Sequence, residues 1–175
     1  IMRKEILVTP NNIVTECNSA EPELTYTFSP NLIGNDSFFG SLTRESGNEP
    51  GNYKILQGTL ALSNNYLLTF KEGTFSIIDN APVWITKAAE LDRIVEYDNT
   101  AELTAAQSLV PVAIDVCDNG QLKIQKETGK FEPNLNCEYT GKYINTWTVT
   151  DSRGNRNVYT QTITVADRTA PVVEV

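Results

Sequence analysis

Histidine is absent from this 175-residue chain and methionine occurs once. Without histidine, neither the Ser-His-Asp nor the Cys-His arrangement of nucleophilic hydrolases can be assembled, and every metal site that uses imidazole is excluded. The glycine patterns GxGxxG and P-loop are missing too, which removes the common phosphate cradles. Basic residues are few: 14 Lys and Arg stand against 22 Asp and Glu, for a formal charge of −8, and they are scattered. A nucleic-acid binder needs a basic stripe to displace counterions, so no nucleic-acid partner is expected. The acidity suits a soluble surface; acidic linkers would also attract divalent cations, and both readings stay open.

What is present is a β composition. Thr, Val, Ile and Tyr are plentiful and turn residues recur every eight to twelve positions or so, which predicts a mostly β chain of short strands. One phrase occurs twice: Asp79-Asn80-Ala81-Pro82-Val83 mid-chain and Asp167-Arg168-Thr169-Ala170-Pro171-Val172 at the end. Each follows a β-like run and opens a new apolar segment, so each reads as a hand-over between domains. The chain reads as an excerpt from a tandem array. Residues 1–79 form one small β domain, with residues 1–4 the tail of a preceding repeat. Residues 80–168 form an immunoglobulin-like sandwich with one short helix, and residues 169–175 start the next repeat.

In the first domain the expected strands are Glu5 to Thr9, Ile13 to Glu16, Leu24 to Phe28, Gly51 to Leu62 and a closing hairpin. In that hairpin Tyr66, Leu68 and Phe70 share a face with Phe75 and Ile77 across a Lys71-Glu72-Gly73 turn. The stretch from Pro30 to Gly47 reads as a long structured loop in which Phe38 or Phe39 packs. In the second domain, Asn99 as N-cap with Glu102 three residues on predicts a short helix ending near Leu109. Strands are expected at Val83 to Ile85, Arg93 to Tyr97, Val112 to Val116, Leu122 to Lys126 after an Asn119-Gly120 turn, Lys142 to Thr150 and Asn157 to Val165.

Cys117 and Cys137 stand 20 residues apart among polar turn residues. Two readings are open: a local bridge, worth about 3 kcal/mol through loop entropy, or two unpaired thiols. A bridge would mean an oxidising compartment. Carboxylate pairs such as Glu21 with Glu23, or Asp115 with Asp118, belong to turns, where solvation is commoner than acid–base catalysis; no enzyme is expected. Trp147 lies in a strand pattern that buries it. Trp84, just after the linker, reads either as packing at the domain junction or as a sugar-stacking platform.

Residues 5 to 78 resemble the MBG-type repeat, the variety named for a Tyr-Gly-X motif, of very large bacterial surface proteins. The resemblance is carried by Ile6-Leu7-Val8-Thr9, Ala20-Glu21-Pro22-Glu23-Leu24-Thr25-Tyr26, Gly51-Asn52-Tyr53-Lys54-Ile55 and Gly73-Thr74-Phe75-Ser76-Ile77. Cys17-Asn18 stand where Tyr-Gly is expected, which implies that Cys17 replaces an aromatic and is a free, packed thiol. Residues 80 to 168 resemble the hyalin-repeat-like, immunoglobulin-like domains of secreted Bacteroidota adhesins, through Ala81-Pro82-Val83-Trp84, Asp115-Val116-Cys117, Gly141 to Asp151 and Thr160 to Val165. Relatives often carry two further cysteines, where this chain has Tyr97 and Arg153. The resemblance implies that one disulfide has been removed whole and that Cys117 and Cys137 keep the other.

These likenesses imply stalk modules of a secreted, extracellular bacterial cell-surface adhesin, with type IX secretion and gliding motility in view. The partners would be neighbouring repeats of the same chain and an unidentified surface or glycan ligand. Alternatives are a carbohydrate-binding module or spacers of a secreted hydrolase. No cofactor is required, but the turn at Asp151 to Arg156 is expected beside the linker, so Asp79, Asn80, Asp151 and Asn155 are candidate ligands for calcium, in a phrase similar to the linkers of cadherins. The alternative is that these residues bond to their own backbone.

Overall fold

The computed structural model describes residues 2–118 and 121–169. The Asn119-Gly120 turn, and residues 170–175 of the expected next repeat, lie outside them. Strands account for 46% and helix for 5%, a mostly β chain. It divides into two compact units, Ile1–Asp79 and Asn80–Val175.

The first unit is built from two sheets. In one, β1 (Lys4–Pro10) lies between β3 (Tyr26–Ser29), antiparallel to it, and β6 (Tyr66–Phe70), parallel to it. In the other the order is β2 (Ile13–Glu16), β7 (Gly73–Ile78), β5 (Gly51–Leu56) and β4 (Thr43–Arg44). Alternation places Ile6, Val8 and Tyr66 from the first sheet, and Ile55, Phe75 and Ile77 from the second, in the buried core. The expected hairpin of β6 with β7 is not formed, because the two strands belong to different sheets. Period-2 alternation states which face of each strand is apolar. It does not state whether two apolar faces lie side by side in one sheet or confront each other across a core.

The loop between β3 and β4 is tied down by aromatics. Phe38 packs edge-on against Tyr26 and Phe28, with ring centroids 5.2 and 5.0 Å away, while Phe39 stays exposed and bridges Ala61 through the backbone. The buried Tyr66 hydroxyl accepts the Ile33 N–H at 2.9 Å and donates to Asp36 Oδ2 at 2.7 Å. That bond and burial raise the tyrosine's pKa.

The second unit centres on two long antiparallel strands, β13 (Cys137–Thr150) and β14 (Arg156–Ala166). On one side β14 pairs in parallel with β9 (Arg93–Glu96), and on the other β13 pairs with β11 (Lys123–Glu127) and then β12 (Glu132–Asn134). The inward face carries Asn145, Trp147 and Val149 from β13, and Tyr159, Gln161, Ile163 and Val165 from β14. Covering this face are a two-stranded ribbon, β8 (Val83–Trp84) with β10 (Ala113–Ile114), and a single helix. The layer opposite the main sheet is therefore thinner than the sandwich expected from the sequence.

Helix α1 (Thr100–Gln107) is capped by Asn99, whose side chain accepts the Glu102 N–H at 3.0 Å. Glu102 reaches further back than a capping box requires and accepts the Glu96 N–H at 3.2 Å, fastening the helix start to β9. The helix packs Ala106 and Leu103 against Val95, Ile163 and Val165, and polar bonds add to that hold on the sheet. Gln161 donates to the Leu91 carbonyl at 2.6 Å and to the Ala106 carbonyl at 3.1 Å. Asn145, its register partner across the ladder, donates to Gln161 Oε1 at 2.9 Å and to Gln107 Oε1 at 2.7 Å, and accepts the Gly129 N–H at 3.2 Å.

Candidate functional site

Every carboxylate that the sequence offered as an acid, a base or a metal ligand in the second unit's loops is hydrogen-bonded. Asp115 Oδ1 accepts the N–H groups of Cys117 at 2.7 Å and Asp118 at 3.0 Å, which is an Asx turn. Asp118 accepts the Ser152 hydroxyl at 2.6 Å and the Ser152 N–H, and so ties this loop to the β13–β14 turn.

In that turn Asp151 is buried. Its Oδ1 accepts the N–H groups of Arg153 at 2.9 Å and Asn155 at 2.8 Å, and its Oδ2 accepts the Asn155 amide at 2.8 Å. Burial alone would raise the Asp151 pKa; the Asn155 amide and the backbone N–H groups of 155, 153 and 154 together outweigh it and hold the carboxyl below its ordinary range. Asp115 and Asp151 bring carboxylate oxygens within 4.8 Å of each other. Asp79 closes the first unit and Asn80 opens the second.

The cysteines are not arranged as the sequence suggested. Cys117 is disulfide-bonded, but Cys137 is a free, exposed thiol, so the Cys117–Cys137 bridge is not formed. The reason is distance. Cys137 opens β13 at the tip of the β12–β13 hairpin, whereas Asp118 binds Ser152, just beyond that strand's other end. The continuous ladder from Gly141 to Thr150 alone holds those ends on the order of 30 Å apart, far beyond the ~7 Å Cα separation that a disulfide tolerates. Cys17 is buried and disulfide-bonded, so it is not a free thiol either.

Trp84 is half-buried, with its ring edge-on to Tyr159 at 5.7 Å, and Tyr159 in turn meets Trp147 at 6.1 Å. Beside Trp84 runs a groove of about 400 Å³, also lined by Thr86, Lys87, Asn157, Tyr159 and Thr160. Most of its polar groups are already used inside the unit. Asn157 donates to the Pro82 carbonyl and accepts the Val158 N–H, Tyr159 donates to the Lys87 carbonyl, and Thr86 Oγ1 accepts the Val112 N–H. A sugar would meet an aromatic edge but few free donors or acceptors.

In the first unit the residue that sequence reasoning passed over is Arg44. Its guanidinium donates to both oxygens of Glu21 at 2.6 and 2.8 Å and to the carbonyls of Glu45 and Gly47 at 3.0 and 2.7 Å, and it stacks over Phe75 at 4.5 Å. This bidentate bond lowers the Glu21 pKa and raises that of Arg44. Gly47 is required at its position: at φ 152° a Cβ would stand 2.1 Å from the Tyr53 ring. The group fastens a loop and presents no free charge to a ligand. Among the described residues no helix is long and apolar enough to cross a membrane.

Comparison with known proteins gives two family matches. The MBG domain of the YGX type matches residues 6–76, and the HYR-like domain with 4 cysteines matches residues 89–165. No curated protein matches. Among solved structures, the crystal structure of Drosophila N-cadherin EC1-4 aligns at 11% identity and a TM-score of 0.34, a likeness too loose to bear on the fold. The alignment covers 93% of this chain and 48% of that one, so this chain spans about half its length. Both families are repeat and adhesion-type modules rather than catalytic ones. The chain carries an MBG domain of the YGX type followed by a HYR-like domain, a tandem of modules of the extracellular repeat type.

Proposed function

We propose that the two units are non-catalytic stalk modules of a secreted bacterial cell-surface adhesin, of the kind found in Bacteroidota and exported by the type IX route, and that they supply reach for surface attachment or gliding. The observation that carries this reading is the pair of family matches over 6–76 and 89–165. The commitment of the polar side chains to internal bonds supports it, since Arg44, Asp118, Asp151, Asn145 and Gln161 all hold loops or a helix in place. Replacing residues 1–168, within the protein that bears them, by an unrelated pair of β domains of equal length tests it. Attachment should survive the exchange. Loss of attachment, with glycan binding by the isolated fragment, would instead make the second unit a carbohydrate-binding module.

Calcium is a separate proposal and rests on the chemistry of Asp79, Asn80, Asp151 and Asn155 alone. Carboxylate and amide oxygens are the ligands calcium takes, and the Asn155 side-chain oxygen has lone pairs to offer. A melting temperature that rises with calcium and falls with chelator is the expected result; identical melting in the two buffers discards the idea.

A further inference from the structure

Five aliphatic side chains face solvent from one side of the β8–β10 ribbon and its flanks. They are Val83 (61% exposed), Ile85 (55%), Val110 (60%), Val112 (56%) and Ile114 (52%). The register sets Ile114 opposite Val83, and the Ile85 N–H donates to the Val112 carbonyl at 2.8 Å, so these residues form cross-strand pairs on one face. The residues between them point inward, with Pro82 and Pro111 fully buried and Trp84 and Ala113 partly so. An antiparallel sheet with one wet face ordinarily turns its polar residues to the water. This ribbon does the reverse. Positions 81–86 and 108–114 contain no charged residue, in a chain of which 21% is charged.

We propose that this face is a homotypic contact, in which two copies of the second unit bring their ribbons together about a twofold axis. A twofold contact needs a surface that complements itself. A flat row of branched aliphatics meets a second such row without desolvating any charge, although the two chains as wholes repel. A partner chosen by charge would instead read the acidic surface elsewhere on the chain. The exposed fractions correspond to on the order of 450 Å² of apolar surface per copy, about 900 Å² for the pair, which falls just below the range of stable specific interfaces. The pairing is therefore weak between single fragments, and it gains through avidity when many copies stand on one surface. It adds a partner to the stalk reading and does not depend on it.

Sedimentation velocity over a wide concentration range tests the proposal. The chain carries Cys137→Ser, so that the exposed thiol cannot form a covalent dimer. The expected result is a reversible monomer–dimer equilibrium whose Kd rises at least about tenfold in Ile85→Thr/Ile114→Thr, since threonine keeps the β-branched shape while removing apolar contact. Val112→Lys should abolish the dimer, and thermal melting of each variant shows that the fold is retained. If the double variant fails to fold, Val110→Thr alone should still raise the Kd. A chain that stays monomeric at every attainable concentration overturns the proposal, and so does a dimer indifferent to these substitutions.

Discussion

The two units fasten their irregular segments to a small β core at different depths and with different chemistry. The first uses a charge. Arg44, 11% exposed in its side chain, holds the segment around Glu21 and the loop at Gly47, but its partner Glu21 is 57% exposed and stays wet. At the centre of its sheet the second uses neutral amides. Asn145 and Gln161 are fully buried, and both join the helix and the strand ladder to the chain at Leu91 and Gly129. The contrast follows from desolvation. A carboxylate taken wholly out of water costs several kcal/mol, so the ion pair survives only at a rim, whereas a fully satisfied amide pair can occupy the centre of a sheet.

The comparison breaks most visibly at Gln161. Gln161→Leu leaves the Leu91 and Ala106 carbonyls and one Asn145 N–H without their partner, and should destabilise the second unit by about 2–4 kcal/mol in denaturant unfolding. The double variant Asn145→Leu/Gln161→Leu should cost clearly less than the sum of its parts, because the two residues act as one network. An additive result would mean that the amides act independently.

Arg44→Met keeps the apolar stem over Phe75 and loses the bonds to Glu21, Glu45 and Gly47. About 1–2 kcal/mol is expected, smaller than at Gln161 because part of the group is solvated. Glu21→Gln should cost less than 1 kcal/mol or so, and the loss should shrink in high salt. Glu21 has its folded pKa depressed by the Arg44 bond, so its contribution is complete above the unfolded value near 4.3 and disappears as pH falls through the lower folded one. Through this carboxyl, stability of the first unit should therefore fall in acid. Asp151 gives the second unit a similar acid limit through a different partner set, Asn155 and backbone N–H groups. Asp151→Ala should cost about 1–2 kcal/mol, nearly independent of salt, since it removes hydrogen bonds rather than an ion pair.

Much of this architecture could be read in the sequence. The alternation that puts Tyr143, Asn145, Trp147 and Val149 on one face of β13 holds in the structure, as does the Asn99-capped helix. Local rules governed those features, with a period of two in strands and a side-chain acceptor at a helix start. Pairing was less legible. The alternation of β6 and β7 suits a hairpin and a two-layer core equally well. The outward aliphatic face of the ribbon was hidden for the same reason: Val-Trp-Ile and Val-Ala-Ile alternate, but nothing local says which set turns inward, and Trp84 wins by meeting Tyr159. Arg44 escaped notice because its partners lie 23 residues away and on backbone carbonyls, which carry no sequence signal.

The cysteines sharpen the comparison between the two ends of the second unit, with almost no effect on stability expected. A separation of 20 residues looked local, yet the chain runs the length of β13's partners β11 and β12 between Cys117 and Cys137. Tyr97 and Arg153 fall at opposite ends as well. Tyr97 meets the Tyr139 ring at 5.9 Å, near the start of β13 where Cys137 stands, and Arg153 follows Ser152, which Asp118 holds beside Cys117. Native alkylation should label Cys137 and leave Cys17 and Cys117 unlabelled until reduction. Tyr97→Cys should remove that reactivity and lower the intact mass by two hydrogens for the new bridge, beyond the two already accounted for by the bonded Cys17 and Cys117. A Tyr97→Cys chain that titrates two free thiols would show that the two positions at this end do not pair.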